Sequence, residues 1–337
     1  MTTPVSPPTP PISPEVFVGI DVAKDTLDMA RSDSGQLLSV PNTTEGFKRI
    51  IAQLAGSPIT RIVLEATGGF EQPVLDALLD AGLPVSRVNP GHVRYFAKAL
   101  GILAKTDALD AGVLVEFARR TDTRLAVKRP QIQAQLDALV TCRRQLVETN
   151  TQQSNRLQAT SDKAARKAIN SVGRVLEKQI KSLDQQIARL IDSDDDFKRL
   201  DEILQSAPGV ADGLSASLIA ELNELGQTGR REISALVGVA PFNHDSGKLK
   251  GKRAIRGGRA GLRCVLFMAA RSAITHNPII RNFAERLREK CKPDKVVVVA
   301  CMHKLLSLLN VMVRLNITWD QLNVVKQFNA VTNAKIA

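Results

Sequence analysis

Over its first third the chain switches repeatedly between a two-residue and a helical hydrophobic period, and each switch marks an element. Val16-Phe17-Val18-Gly19-Ile20-Asp21-Val22 is a short apolar run ending near an acid, the pattern of a central strand with a carboxylate toward its carboxyl end. Thr26–Arg31 and Leu37–Val40 read as two more strands separated by the turn residues Asp33-Ser34-Gly35, so the three predict a hairpin meander. Asn42-Thr43-Thr44-Glu45 opens a helix in which Phe47, Ile50, Ile51 and Leu54 recur at helical spacing until Gly56. Arg61–Thr67 reads as a fourth strand, buried in character and again carrying an acid, Glu65. A helix over Phe70–Ala81, a fifth strand over Pro84–Asn89 and a helix over Pro90–Leu100, opened by proline, complete this part.

From Arg129 to about Leu204 the text changes to Gln, Lys, Arg and Leu with few Gly or Pro. Leu136, Leu139, Val140 and Leu146 fall at helical spacing, and Leu176, Ile180, Leu183, Ile187 and Leu190 continue in steps of four and three, a heptad-like seam. Two long helices follow, either as a coiled-coil arm or as a bundle packed on its own chain. A third region opens at Ala207-Pro208-Gly209-Val210 before the apolar helix Leu214–Leu222. Such a helix-hairpin-helix-like turn suits a phosphate, although a plain packing unit reads the same way. Leu262–Ala273, Ile279–Arg288 and Val296–Leu315 are helical, the last apolar on most sides and therefore buried. The expected organisation is a tail at 1–14, an α/β domain at 15–125, a helical linker at 126–204, a mainly helical C-terminal domain at 205–325 and a tail at 326–337.

Composition narrows the partners. The 337 residues leave room for two or three domains, and 44% hydrophobic with 24% charged residues is ordinary for a chain that folds. Lys and Arg number 46 against 34 Asp and Glu, a net charge of +12 and a pI near 9.8. That excess points to a polyanion, nucleic acid before membrane, because no basic amphipathic segment with Trp or Phe anchors stands out. No apolar run reaches the roughly 18 residues of a membrane span, and the start lacks a charged region followed by an apolar one, so a cytoplasmic protein without a membrane partner is expected. Met1–Pro14 holds six prolines and too little apolar surface to order itself.

The candidate chemistry begins with Lys105-Thr106-Asp107-Ala108-Leu109-Asp110-Ala111, where two acids three residues apart share one face of a helix. Two negative charges held that close cost Coulombic energy unless a divalent cation sits between them. Three strands, helix, strand, helix, strand, helix is the order of the ribonuclease H-like fold, in which acids of the first and fourth strands meet acids of a later helix. Asp21, Glu65, Asp107 and Asp110 occupy those places. Cys142, Cys264, Cys291, Cys301 and His92, His244, His276, His303 are scattered without metal-ligand spacing. An ion here would therefore be held by carboxylates, which favours Mg²⁺ or Mn²⁺ over zinc. Four carboxylates can hold two such ions for an in-line displacement at a phosphodiester. Further on, after Leu236–Gly247, comes a basic run without an acid: Lys248, Lys250, Lys252, Arg253, Arg256, Arg259 and Arg263. Gly251, Gly257, Gly258 and Gly261 are interleaved with it, a composition that lets backbone approach phosphates.

Gly-Ile-Asp-Val-Ala-Lys at 19–24, Leu-Glu-Ala-Thr-Gly at 64–68, Lys-Thr-Asp-Ala-Leu-Asp-Ala at 105–111, Pro-Gly-Val at 208–210 and Gly-Val-Ala-Pro at 238–241 with Arg-Gly-Gly-Arg-Ala-Gly-Leu-Arg at 256–263 together resemble a DEDD transposase. The family is the insertion-sequence group numbered one hundred and ten, and the resemblance spans about residues 15 to 320. It implies an RNA-guided recombinase that excises and inserts a circular mobile element, working in the cytoplasm on nucleoid DNA as a tetramer, a dimer of dimers on donor and target double strands. It implies that Asp21, Glu65, Asp107 and Asp110 hold Mg²⁺, with Mn²⁺ as a substitute, in a RuvC-like domain, and that Ser246 forms a covalent link to DNA. The arm would then bring Ser246 of one subunit to the acids of another. A Holliday-junction-resolvase-like or ribonuclease H-like nuclease would hydrolyse without Ser246. An actin-like ATPase would place Gly and Thr or Ser after the first acid, where Val22-Ala23-Lys24 stand. A non-enzymatic RNA-binding protein would tolerate Asp21→Asn.

Overall fold

The computed structural model describes residues 15–102, 107–242, 245–246, 249–251 and 253–322, without the side chains of 107–109, 245–246 and 249–250. The two expected tails lie outside the described residues. The chain forms two compact units, Met1–Arg129 and Pro130–Ala337, the arm helices grouping with the C-terminal segment.

In the first unit the strands are β1 (Val16–Val22), β2 (Thr26–Arg31), β3 (Leu37–Pro41), β4 (Ile59–Glu65) and β5 (Val85–Val88). They form one sheet in the order β3-β2-β1-β4-β5, with β1, β2 and β3 antiparallel and β1, β4 and β5 parallel. The mixed ribonuclease H-like arrangement expected from the element order is therefore present. The helices are α1 (Thr44–Leu54), α2 (Gln72–Asp80), α3 (Pro90–Ala99) and α4 (Asp107–Arg120). Thr43 caps α1 by accepting from Gly46 N, as its position before the apolar run predicts. β4 begins and ends two residues before the expected Arg61–Thr67.

Strand alternation separates two cores. Val18, Ile20, Leu27, Met29, Ile62 and Leu64 face α1 and α2, where they pack on Phe47, Ile50, Leu54, Val74, Leu75 and Leu78. The opposite face presents Phe17, Val63 and Val88 to Val93 of α3 and to Val113, Leu114 and Phe117 of α4. Phe96 and Phe117 meet edge to face at 5.2 Å between ring centroids, locking α3 to α4.

In the second unit α5 (Gln131–Ala159) and α6 (Lys163–Asp192) pair along their length, α6 opening on Asp162, which accepts from Ala165 N. At their base Leu136, Val140, Ile187 and Ile191 enter a core shared with α7 (Asp195–Gln205), α8 (Asp212–Glu221), α9 (Arg230–Val237), α10 (Ala260–His276), α11 (Pro278–Glu289) and α12 (Asp294–Leu315). The seam thus serves as helix pair outward, where Leu176, Ile180 and Leu183 are half-buried, and as core wall inward. The helical run expected up to Leu204 breaks at Ser193, where Asp194 caps a new helix by accepting from Phe197 N. Short ribbons pair β6 (Pro241–Phe242) with β9 (Ala254–Ile255) and β7 (Asp245–Ser246) with β8 (Leu249–Lys250).

α12 is long and apolar enough to cross a membrane by composition, yet Val297, Cys301, Leu305, Leu306, Leu309 and Met312 are sunk in the core of this unit. Asn310, 1% exposed, accepts from Gly226 N at 2.7 Å and donates to Thr228 O at 3.0 Å, an anchor suited to a protein interior. Thr228 O also receives Arg314, so Asn310→Leu strands Gly226 N alone. Denaturant unfolding is expected to show a loss of about 1–3 kcal/mol for that variant.

Candidate functional site

The sheet register brings acids to one face. Antiparallel pairing sets Asp21 directly opposite Asp28 of β2, and parallel pairing sets Ile20 beside Leu64, which carries Asp21 level with Glu65. Leu27, Met29 and Leu64 belong to the opposite core, so Asp28 and Glu65 share the face of Phe17, Gly19 and Asp21. That face is covered by α4. A Cβ on Gly19 would stand 2.4 Å from Ala111 O, 2.6 Å from Leu114 Cβ and 2.7 Å from Val115 N, so the missing side chain is what lets α4 lie against β1. Asp110 immediately precedes Ala111 and is half-buried, and Asp107 is the first residue of α4, on the same helical face. Asp21 and Glu65 are half-buried at the carboxyl ends of their strands. Lys105 and Thr106 lie outside the described residues, as does the Asp107 side chain. Among the described residues no group of three or more His, Cys, Asp or Glu side chains is close enough to hold a metal ion.

The loops that follow β1 and β4 are tied together by residues that pattern reading passed over. Glu71, 3% exposed, accepts from Thr67 N at 3.0 Å and Gly69 N at 2.8 Å and faces the Arg87 guanidinium at 3.5 Å. It bends the chain sharply just beyond Glu65, which is why β4 stops there. Asn42 donates to Ala23 O at 2.9 Å and Phe70 O at 3.2 Å, joining the turn after Asp21 to the turn after Glu65. Thr67 Oγ1 and Asn42 Oδ1 are buried with no hydrogen-bond partner among the described residues. The only signal in the text for Glu71 was an acid closing a Thr-Gly-Gly-Phe turn.

In the second unit, Ser246 lies on β7, paired with Leu249 of β8. Lys250 follows on β8, and Lys248 and Lys252 lie outside the described residues. Arg253 and Arg256 are exposed. Arg259 is committed to the chain itself: both its terminal nitrogens bond Glu224 at 2.9 Å. Arg263 donates to Gly257 O and to Val237 O. The run's charge is thus partly neutralised internally, by an acid 35 residues earlier in the chain. Its glycines have an internal use as well. Gly238 caps α9 at φ +76°, and Cβ atoms on Gly238 and Gly258 would collide at 2.1 Å with Gly257 O and at 2.3 Å with Gly238 N. Close backbone approach, read above as fitting a phosphate, is here made between two loops of the same unit.

The cysteines are all free, with Cys142, Cys264 and Cys291 exposed. Cys301 is buried, and burial pushes its thiol up to about 11, so it remains a protonated packing residue. His303 sits below its ordinary value, through burial and then the nearby Arg230 and Lys304.

Comparison with known proteins agrees along both units. Residues 18–164 match the profile of DEDD-type IS110 transposases, and residues 201–285 match that of the transposase IS116/IS110/IS902 family. The pilin gene-inverting proteins of Moraxella bovis and Moraxella lacunata are each 26% identical over 324 residues, covering 91% of this chain and 98% of theirs. The transposase for insertion sequence element IS1111A of Coxiella burnetii (strain RSA 493 / Nine Mile phase I) is 24% identical over 293 residues, covering 77% of this chain and 78% of its own. Among solved structures, Thermus thermophilus RuvC aligns with 33% of this chain and 99% of its own at 18% identity, with a TM-score of 0.24 that carries no weight for the site. With one profile on the sheet that carries the acids and the other on the helical unit that carries the basic run, this chain belongs to the IS110 family of transposases.

Proposed function

We propose that the chain cuts and rejoins the DNA strands of a mobile insertion sequence, guided by a non-coding RNA of that element. Asp21, Glu65, Asp107 and Asp110 form its Mg²⁺-dependent site, for which Mn²⁺ can substitute, and Ser246 is its strand-linking nucleophile. The observation that carries this reading is the register that sets Asp21 and Glu65 on the face covered by α4, whose first turn holds Asp107 and Asp110. The donor chemistry suits a hard divalent ion, since every member is a carboxylate, and among the described residues the buried Thr67 Oγ1, two residues past Glu65, has no hydrogen-bond partner. When bound, such ions stabilise the charge that develops on the attacking and leaving oxygens at phosphorus.

The chain's own part is to hold these acids on rigid strands and a docked helix and to present a hydroxyl. Ser246 Oγ attacks phosphorus, its proton passes to solvent, and the deoxyribose oxygen departs to leave a phosphoserine ester. That ester keeps the energy of the broken bond, so a second deoxyribose hydroxyl can attack it, joining the strands and freeing the serine. Rejoining rather than hydrolysis is favoured by the names of the Moraxella relatives, since inverting a gene requires both breakage and joining. The +12 charge suits guide RNA and two DNA duplexes, for which exposed Arg253 and Arg256, with Lys248, Lys250 and Lys252, are contacts, while Arg259 and Arg263 act mainly by shaping the segment. A tetramer working in the cytoplasm completes the proposal.

Ser246→Ala tests the covalent step. With the element's RNA, labelled DNA and Mg²⁺, the wild-type chain is expected to leave a protein–DNA adduct that survives detergent, and the variant is expected to form neither adduct nor joined product. Full recombination by Ser246→Ala would overturn the role of Ser246 and favour the hydrolytic alternative.

A further inference from the structure

We propose that the outward face of α6 is a docking surface for the phosphate backbone of double-stranded DNA, separate from the basic run that follows Ser246. The inference takes its partner from membership of a transposase family and uses nothing of the metal site or of Ser246.

The helix has two faces of opposite character. Ile169, Gly173, Leu176, Ile180 and Leu183 are half-buried and Ile187 is buried, the seam along which α6 packs on α5. Lys163, Lys167, Arg174, Lys178 and Lys181 recur on the other side in steps of four, seven, four and three, and all five are exposed. At 1.5 Å per residue they form a straight row about 27 Å long. Residues 163–181 hold six cations and one acid, Glu177, and that acid lines the groove toward α5 with Asn150 and Gln153. The facing stretch of α5, 148–159, holds one acid and one cation, so the charge is concentrated on one helix of the pair and on its outward side.

The fold supplies no counter-charge to this row. Among the described residues no ion pair involves Lys163, Lys167, Arg174, Lys178 or Lys181, whereas Arg143 pairs with Asp184 and Arg144 with Glu221 nearer the base of the arm. The contrast with the basic run is direct, since there Arg259 is held by Glu224. At the outer end Arg166 donates to Leu157 O at 2.7 Å and Thr160 O at 2.8 Å, closing the turn onto α5. With Lys163, Lys167, Arg174, Asn170 and Ser171 it walls an open hollow of about 420 Å³. Four cations, an amide and a hydroxyl thus surround a space with no acid, which fits a phosphate group, and the row beyond fits the phosphates that follow along a backbone.

The row selects a duplex over a single strand. Residues 130–192 contain no aromatic side chain, so the arm offers no platform on which unpaired bases could stack. Lysine-dominated point charges on a rigid helix suit the even backbone of a double strand, held without regard to sequence. The duplex on which a transposase acts is DNA.

Binding by the full-length chain in EDTA keeps the test independent of metal and of the covalent step. Fluorescent duplex DNA of arbitrary sequence, and duplex RNA of the same sequence, are titrated over a range of salt concentrations with wild type and with a variant carrying Lys167→Gln, Arg174→Gln, Lys178→Gln and Lys181→Gln. A matched control carries Lys198→Gln, Lys290→Gln, Lys292→Gln and Lys295→Gln, four exposed cations of the same unit outside the arm. Each phosphate contact contributes about 0.9 to the slope of log affinity against log salt, so the arm variant is expected to lose about three to four from that slope and at least about tenfold in affinity for DNA. Lys167→Gln with Lys178→Gln alone is expected to lose about half as much slope, and the outward positions and the helix preference of Gln predict wild-type circular dichroism for both. The control is expected to stay within about twofold of wild type. Unchanged DNA affinity and slope in the arm variants, or an equal loss in the control, would overturn the inference and leave the row a solvated face. A larger loss on duplex RNA than on duplex DNA would overturn the choice of DNA. If wild type binds neither duplex, DNA is not this chain's partner and the inference falls with that reading.

Discussion

Asp21→Asn and Glu65→Gln are each expected to lower strand cleavage and joining about a thousandfold or more while leaving the fold intact. Each change keeps the side-chain volume and removes one charge from the end of a strand whose preceding residue, Ile20 or Leu64, is fully buried. On the proposed reading of these acids as metal ligands, loss of one carboxylate removes several kcal/mol of stabilisation of the phosphoryl transition state, and each interval of about 1.4 kcal/mol is a factor of ten in rate. Circular dichroism with denaturant unfolding, run beside a recombination assay on element DNA, reads both parts. Near-wild-type joining by either variant would remove that residue from the site.

The second large effect is expected at Gly19, far from any reacting atom in chemistry though adjacent to the site in structure. Adding even one methyl at Gly19→Ala forces a carbon to within 2.4 Å of the Ala111 carbonyl oxygen and 2.7 Å of Val115 N, both backbone atoms of α4. The helix must lift away from β1, taking Asp107 and Asp110 with it. Overpacking of this kind costs about 1–3 kcal/mol, and a shift of roughly 1 Å in catalytic groups costs on the order of 10²-fold in rate. Leu114→Ala should not rescue the variant, since the Leu114 Cβ and the α4 backbone remain in place. The comparison is a chemical-denaturation midpoint together with the joining rate. Wild-type values for Gly19→Ala would mean that α4 is not held against β1 as described.

Much of the first unit could be read from period alone. β1, β2 and β3 emerge within a residue of the expected bounds because Asp33-Ser34-Gly35 and the Thr43 cap are local signals. β4 slipped by two residues because its end is set by Glu71 capturing the amides of Thr67 and Gly69, a contact that strand propensity cannot express. The break between α6 and α7 depends on one cap, Asp194, inside a helix-favouring run. α9 went unread because its eight residues, between the caps Gly229 and Gly238, are too few for periodicity to declare itself.

The site was legible to a different depth. Asp21 and Glu65 stood out because each closes an apolar strand, and the sheet brings those strand ends side by side. The burial of Asp28 was not legible, because Leu27-Asp28-Met29 reads as an ordinary amphipathic strand with a solvent-facing acid. Only the packing of α4 on that face makes it buried. The internal contacts of the basic run were not legible either. Besides the approach to phosphates that its glycines and arginines suggest, Gly238 meets Gly257 and Gly258, and Arg259 pairs with Glu224. Charge in a linear text does not reveal which counter-ion the fold itself supplies.

The most direct test of the central claim is the chemical state of the strand ends. The purified chain, with the non-coding RNA transcribed beside its gene and supercoiled DNA carrying the element's ends, is incubated with Mg²⁺ or with EDTA, and the product junctions are sequenced. Metal-dependent recombination predicts precisely joined new junctions with Mg²⁺ and intact starting DNA with EDTA. Cut, unjoined ends with Mg²⁺, or joining that persists in EDTA, would contradict it.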